Sequence, residues 1–414
     1  MNYAEWIRNH LEEMARSLGF VFTPLEEISL RLERLRREML RENLEAVLVV
    51  QKIDLFYFSG TAQDAILLVP VHGAPLLAVR REVERSRVES PLDRIVEMVS
   101  LRELPSMIQE HLGYLPGSLG IELDVLPVRD FRYYTSIFQG CEIRDASGII
   151  KKVRRRKSPF EVRLMKEAGE IARKTYHEAL GILGEGMTEI EFGGWLEATA
   201  KKYGHEGLLR VRSMNYEAYT WHILSGPSGG IVSQSDSPMG GFGVSPIFPV
   251  GASRRRMKAR EPILVDFGTC FHGYLSDQTR MFSIGRMPRK FVDAYRACRE
   301  IHDAVLAETR PGMDCARLFE LALGLAAKMG YADTFLGPRG LQSRFIGHGI
   351  GLELSEPPFL AEKHDYPLEE GMTFALEPKI VFPGEGAVGI ENTVLVTDSG
   401  YEILTPLEED IFQV

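Results

Sequence analysis

Four carboxylates stand inside runs of apolar, β-forming residues: Asp266 in ILVDFG, Asp277 in YLSDQTRMFSIG, Glu377 in FALEPKIVF and Glu391 in GIENTVLVT. An ionised acid in an apolar strand is costly unless a counter-charge meets it, so the fold must supply these four with ion-pair partners or with a shared cation. Their spacing narrows the choice. Asp266 and Asp277 lie eleven residues apart across a Gly-containing turn, and Glu377 and Glu391 fourteen apart across PGEGAVG. Each pair reads as a β-hairpin. Strand side chains alternate with a period of two, so the acids of one hairpin can share a sheet face. Two such hairpins facing each other converge four carboxylates on one cavity.

A second regularity surrounds the acids. GEGMTEIEFGGWLEATAKKYGHEG (184–207) and RPGMDCARLFELALGLAAKMGYAD (310–333) share a frame: Gly-Met, an N-capping Thr188 or Asp314, a helix and a closing glycine. Gly186 to Gly204 spans 18 residues, and so does Gly312 to Gly330. A long helix precedes each copy (159–183 and 289–308), and an acid-bearing hairpin follows each. The second half of the chain therefore reads as an internal duplication.

The first half reads differently. Ile28, Leu30, Leu32, Leu35 and Leu40 recur at helical spacing among charged residues from Leu25 to Asn43, and EAVLVV follows as a buried strand. DLFYFSGT, AILLVP, APLLAVR and GSLGIEL continue an alternation of strand and helix to about Ile150, which predicts an α/β domain with a mixed sheet. Ser158, Pro159 and Glu161 then form a capping box that opens a long helix and a second domain. The expected division is an N-terminal helical extension (1–24), an α/β domain (25–152) and a duplicated α+β domain (153–414).

With 414 residues, 44% hydrophobic and 26% charged, the chain can bury two cores. The net charge of −9 argues against a nucleic-acid partner. The basic runs KKVRRRK (151–157) and Arg254–Arg256 read as a solvated linker and a solvated loop. Cys141, Cys270, Cys298 and Cys315 form no CxxC pair, which predicts neither disulfides nor a zinc knuckle and favours a reducing compartment. The first twenty residues carry acids and lack a continuous apolar core, so they read as an amphipathic helix of a cytoplasmic protein, without signal peptide or membrane span.

One imidazole joins the acids. His348 lies in FIGHGIGLELSEPP between Gly347 and Gly349, which would let the backbone approach a metal cavity. Four carboxylates and one imidazole can bind and bridge two divalent cations about 3.5–4 Å apart, an inventory that suits hydrolysis better than redox chemistry.

VDFG with YLSDQTR, GHGIGLELSEPP, LEPKI and GIENTVLVT resemble the signature segments of the pita-bread metallopeptidases, the group of methionine aminopeptidase, Xaa-Pro aminopeptidase, prolidase and creatinase. The two-domain layout resembles the prolidase and Xaa-Pro aminopeptidase branch. This resemblance implies a creatinase-like N-terminal domain, a pita-bread catalytic domain and a homodimer in which one subunit's N-terminal domain closes its partner's site. It implies that Asp277 and Glu391 contact both metals, that Asp266 completes one ion, and that His348 and Glu377 complete the other. Glu377 would also be the general base. Arg280, in SDQTR, would orient a carboxylate by bidentate contact. The metals expected of such donors are Mn²⁺, Co²⁺, Zn²⁺ or Fe²⁺.

The chain departs from that pattern at two substrate-side histidines, with Phe248 near the place of one and Ser355 at the place of the other. A long Gly-, Ser- and Pro-rich stretch, 226–253, reads as a lid over the metal site or as a disordered insertion. Trp221 and His222, just upstream, are candidate pocket residues, and His222 is a candidate catalytic group. His272 reads as a turn residue. The function implied is hydrolysis of short peptides, of the Xaa-Pro aminopeptidase or prolidase kind. Alternatives on the same fold are a creatinase-like C–N hydrolase, a metal-dependent lyase, or a non-catalytic peptide-binding module.

Overall fold

EAVLVV forms the centre of a six-stranded mixed sheet in the first of two units, Met1–Arg154 and Arg155–Val414. The computed structural model describes residues 2–213, 221–233 and 236–414. The first unit's strands are β1 (Ala46–Val49), β2 (Ala65–Pro70), β3 (Leu76–Val79), β4 (Ile95–Glu97), β5 (Ser118–Ile121) and β6 (Glu142–Asp145), in spatial order β4-β3-β2-β1-β5-β6. Around β2 the pairing is antiparallel, while β1–β5, β5–β6 and β3–β4 run parallel. Every residue of β1, β2 and β3 is buried, hence their unbroken apolar sequences.

Helices α1 (Tyr3–Ser17), α2 (Leu25–Arg41), α3 (Lys52–Ser59), α4 (Val83–Glu89), α5 (Leu104–Leu112), α6 (Val128–Ile137) and α7 (Ser147–Arg154) complete this unit. DLFYF, ambiguous by periodicity, is helical as α3. The Gln51 side chain accepts from the Ile53 and Asp54 amides at its start, and Gly60 ends it at φ 81°. The basic run beginning at Lys151 is not a solvated linker. It closes α7, where Arg154 is buried and bonds Asp54 at 2.7 Å.

The second unit holds α8 (Pro159–Ala179), α9 (Glu189–Lys202), α10 (Arg289–Glu308) and α11 (Cys315–Lys328). Its strands are β7 (Trp221–Ser225), β8 (Ile263–Phe271), β9 (Tyr274–Ser283), β10 (Phe345–Gly349), β11 (Glu356–Ala361), β12 (Thr373–Leu376), β13 (Lys379–Phe382), β14 (Gly386–Gly389), β15 (Asn392–Val396), β16 (Tyr401–Ile403) and β17 (Phe412–Gln413). They form sheets ordered β17-β9-β8-β7 and β11-β10-β12-β15-β16, with β13–β14 as a separate hairpin. The rest of KKVRRRK belongs here and is also paired: Arg155 bonds Glu369 at 2.7 Å, and buried Lys157 bonds Glu356 at 2.6 Å. In the other basic run, Arg255 bonds Glu261 at 2.6 Å.

The two halves of this unit repeat their local bonding. Gly186 (φ 86°) donates to Met257, and Gly312 (φ 87°) to Leu368, each at 2.9 Å. The following methionines accept in return, Met187 from Met257 at 2.9 Å and Met313 from Leu368 at 2.8 Å. α9 and α11 then run for 14 residues each. The long helices are held close to the strands they cover: the Tyr176 hydroxyl on α8 donates to the Val265 and Gln278 carbonyls at 3.0 and 2.9 Å. At Gly169 on α8, a Cβ would lie 2.4 Å from the Leu404 carbonyl oxygen. Only glycine permits that approach.

Candidate metal centre

β8 and β9 form the first acid-bearing hairpin. His272 (φ 47°) and Gly273 (φ 81°) turn it, both at positive φ as a two-residue turn of this twist requires. Register pairs Asp266 with Thr279 and Gly268 with Asp277, so the two aspartates are diagonal neighbours on one face. The second pair is built differently from the continuous hairpin expected. The chain breaks at Glu377-Pro378 and again at Ile390-Glu391, because β12 and β15 stay in the large sheet while β13 and β14 peel away. Pro378 cannot donate to a ladder, which suits it to the break. Leu376 pairs with Asn392, leaving Glu377 and Glu391 side by side where the strands part.

The two halves meet at Thr279 and Glu391, whose amides donate to each other's carbonyls at 3.3 Å. Thr393 extends the seam, its hydroxyl accepting from the Asp277 amide at 2.8 Å and donating to the Asp277 carbonyl at 2.9 Å. Asp266, Asp277, His348, Glu377 and Glu391 consequently line one cavity of about 400 Å³. Ligand atoms of Asp277, His348 and Glu391 lie within 4.8 Å of one another. His348 Nε2 faces Glu377 at 3.7 Å and Glu391 at 4.0 Å, and its Nδ1 lies 3.3 Å from the Gly349 carbonyl oxygen. That bond through the far nitrogen fixes the ring and turns Nε2 toward the acids.

Crowding of buried acids governs the electrostatics. Burial, with Glu391 and Asp266 adding to it, holds the Asp277 carboxyl well above the usual carboxylate range. Burial also pushes Glu391 up to about 8, with Lys379 opposing and Asp266 and Glu377 adding. Asp266 is the exception: burial would raise it, but Lys379 and His222 more than offset that and hold it low. A divalent cation relieves like-charge crowding of this kind. Buried oxygen donors with one oriented imidazole fit such an ion.

Two expectations need correction. Gly347 and Gly349 serve their neighbouring strands and not the cavity, for a Cβ there would lie 2.5 Å from the Ala375 carbonyl oxygen and 2.2 Å from that of Glu356. Arg280 makes no bidentate carboxylate contact. Three residues from Asp277 on one strand, it faces the opposite side of the sheet and donates to the Glu408, Thr279, Glu391 and Leu407 carbonyls and to Asn392 Oδ1, all at 2.8–2.9 Å. Phe248 is not among the cavity-lining residues, whereas Ser355 is.

His222 pairs with Asp266 across β7 and β8 and lines the cavity, its Nδ1 3.7 Å from Asp266 Oδ2. The Trp221 side chain lies outside what the structure describes. In the 226–253 stretch, Asp236 and Ser237 line the cavity, and Asp236 bonds Arg344 at 2.9 Å. Its two ends are gathered by one buried carboxylate: Glu189 accepts from the Ser225 amide at 2.8 Å and the Ser253 amide at 2.9 Å. Described residues of the stretch thus reach the site, while 234 and 235 lie outside the described residues.

Sequence reasoning missed Lys379, whose ammonium bonds Glu377 at 2.6 Å, Glu391 at 3.1 Å and Asp266 at 3.2 Å. The one sign of it in the sequence was a lysine two residues after an acid, in LEPKI.

Residues 163–398 match the model of metallopeptidase family M24, and residues 31–156 match the creatinase/prolidase N-terminal domain. The chain belongs to metallopeptidase family M24. It is 28% identical over 385 residues to the Xaa-Pro dipeptidase of Pyrococcus furiosus, covering 92% of this chain and 99% of that one. Its fold is similar to that of the Xaa-Pro dipeptidase from Bacillus anthracis (TM-score 0.80, 25% identity, 94% and 100% of the two chains). It is also similar to the X-Pro aminopeptidase from Thermotoga maritima (TM-score 0.77, 26% identity, 92% and 99%). The M24 fold here is a pita-bread catalytic domain preceded by a creatinase-type domain. Among the described residues, no helix is long and apolar enough to cross a membrane.

Proposed function

We propose that this M24 protein is a metal-dependent peptidase cleaving short peptides, of the Xaa-Pro dipeptidase or aminopeptidase kind. The observation that carries this reading is the convergence of Asp266, Asp277, His348, Glu377 and Glu391 on one cavity. Asp277, His348 and Glu391 would hold a divalent cation. When bound, such an ion polarises the scissile carbonyl and lowers the pKa of a water. Glu377 would take the proton from the attacking water and pass it to the leaving amide nitrogen. His222, on the adjacent strand, would donate a hydrogen bond to the substrate in place of the histidines absent at Phe248 and Ser355. A cavity of about 400 Å³ accommodates a dipeptide-sized ligand.

Ser355 in the cavity favours a second reading, a creatinase-like C–N hydrolase, since a hydroxyl there recognises a different leaving group from an imidazole. One assay separates the two. Protein loaded with Mn²⁺, Co²⁺, Zn²⁺ or Fe²⁺ is tested against Xaa-Pro dipeptides, longer Xaa-Pro peptides and creatine-like amidines, with Asp277→Asn as control. Metal-dependent Xaa-Pro cleavage that the control lacks is the expected result. Turnover of amidines alone would transfer the assignment to the second reading, and a protein that holds no divalent metal would sink both.

A further inference from the structure

Lys379 is buried at the floor of the acid cluster, with 1% of its side chain exposed. An ammonium has three N–H donors, and here each meets a different carboxylate: Glu377 Oε2 at 2.6 Å, Glu391 Oε2 at 3.1 Å and Asp266 Oδ2 at 3.2 Å. The backbone makes room for this side chain. Lys379 pairs with Gly389 across β13 and β14, and a Cβ on Gly389 would fall 2.4 Å from Lys379 Cγ. Any larger residue at 389 would displace the lysine stem.

The acid cluster therefore divides into two cation positions. One is filled by the ammonium, among Asp266, Glu377 and Glu391. The other is the Asp277, His348 and Glu391 group, whose ligand atoms come within 4.8 Å of one another and which no lysine bond reaches except through Glu391. A second divalent ion would have to share Asp266 and Glu391 with the ammonium at close range, and cations so placed repel.

We propose that Lys379 is a built-in cation standing in for one of two metal ions, so that this centre is mononuclear, with its single divalent ion on Asp277, His348 and Glu391. The inference rests on the metal-dependent reading above. On it, Asp266 is an ion-pair partner and not a ligand, and Lys379 is a positioning residue that fixes the Glu377 carboxylate.

The test counts metal. Full-length protein, stripped with chelator and dialysed against Mn²⁺, is measured by elemental mass spectrometry and by calorimetric titration. Electron paramagnetic resonance distinguishes an isolated Mn²⁺ from an exchange-coupled pair. The wild type is expected to hold one equivalent with an isolated-ion spectrum, and Lys379→Ala and Lys379→Met to take up a second equivalent with coupling. Asp277→Asn is expected to lose the single ion. Two equivalents on the wild type would overturn the inference and leave the metal-dependent reading standing. None would overturn both. Folded lysine variants that still bind a single ion would show that Lys379 is not what excludes the second. Should both variants fail to fold by circular dichroism, the wild-type count and spectrum still decide.

Discussion

Thr279 and Glu391 are joined three ways: each amide donates to the other's carbonyl at 3.3 Å, and the Thr279 hydroxyl donates to Glu391 Oε2 at 2.7 Å. The backbone pair stitches the first hairpin to the second, and the side-chain bond aims the carboxylate. Thr279→Val keeps volume and backbone while deleting the aiming bond. Its expected effect is a loss of metal affinity of roughly 10-fold or more, the usual cost of an outer-shell partner. Chelator competition with Mn²⁺ measures it. Unchanged affinity would mean that the backbone alone positions Glu391.

Arg280 shares the strand but serves its other face. All five guanidinium donors are used, four bonds going to main-chain carbonyls and one to Asn392, which ties β9 to the segment 407–408. Hydrogen bonds from a charged donor contribute about 1.5–3 kcal/mol each, and carbonyls left bare in the core add their desolvation cost. Arg280→Lys is therefore expected to cost roughly 3 kcal/mol or more, read as a lower midpoint in urea. A variant with wild-type stability and impaired turnover would instead place Arg280 in the chemistry.

Much of this was legible in the sequence, for identifiable reasons. Acids in apolar strands announce themselves through the cost of burying charge, so Asp266, Asp277, Glu377 and Glu391 could be named before any geometry. The duplicated Gly-Met frames were visible because positive φ at Gly186 and Gly312 demands glycine in both halves. What escaped were relationships between distant segments. The clamp of Glu189 on Ser225 and Ser253 depends on a helix start and two loop ends that only the fold brings together. Arg280 stands close to Asp277 along the chain, but strand alternation sends the two to opposite faces.

A buried acid far from the metal centre gives a pH prediction. In the first unit, Glu122 accepts from the Val50 amide at 3.0 Å and the Gln51 amide at 3.2 Å. Burial, reinforced by nearby Asp54, pushes its carboxyl up to about 8 despite those bonds. The folded state thus holds this proton more tightly than the unfolded chain, whose carboxyl keeps an ordinary value. The resulting stabilisation is fully present below the unfolded pKa and is lost as pH rises through about 8. The stability of the creatinase-type unit should fall between pH 5 and pH 8, with a slope of up to about 1.4 kcal/mol per pH unit for one proton. Glu122→Gln, which retains an acceptor for Val50, should flatten that slope. Denaturant midpoints across the pH range check it, and a slope unchanged in the variant would assign the proton elsewhere.

His222 offers the sharpest test of the proposed chemistry. It lines the cavity beside Asp266 but is absent from the compact Asp277, His348 and Glu391 group. A ligand and a substrate-facing donor respond differently to removal. If His222 faces the substrate, His222→Phe keeps the metal and lowers kcat by roughly 10²–10⁴-fold, the range for a lost general acid–base or hydrogen-bonding group. A ligand's loss would instead release the ion, and an inert structural histidine would move neither quantity. Metal content and single-turnover rates on an Xaa-Pro dipeptide, measured on one preparation, separate the three. Retained metal with slowed chemistry is the expected pattern, because His222 lines the cavity with its Nδ1 3.7 Å from Asp266 and stands outside the Asp277, His348 and Glu391 group.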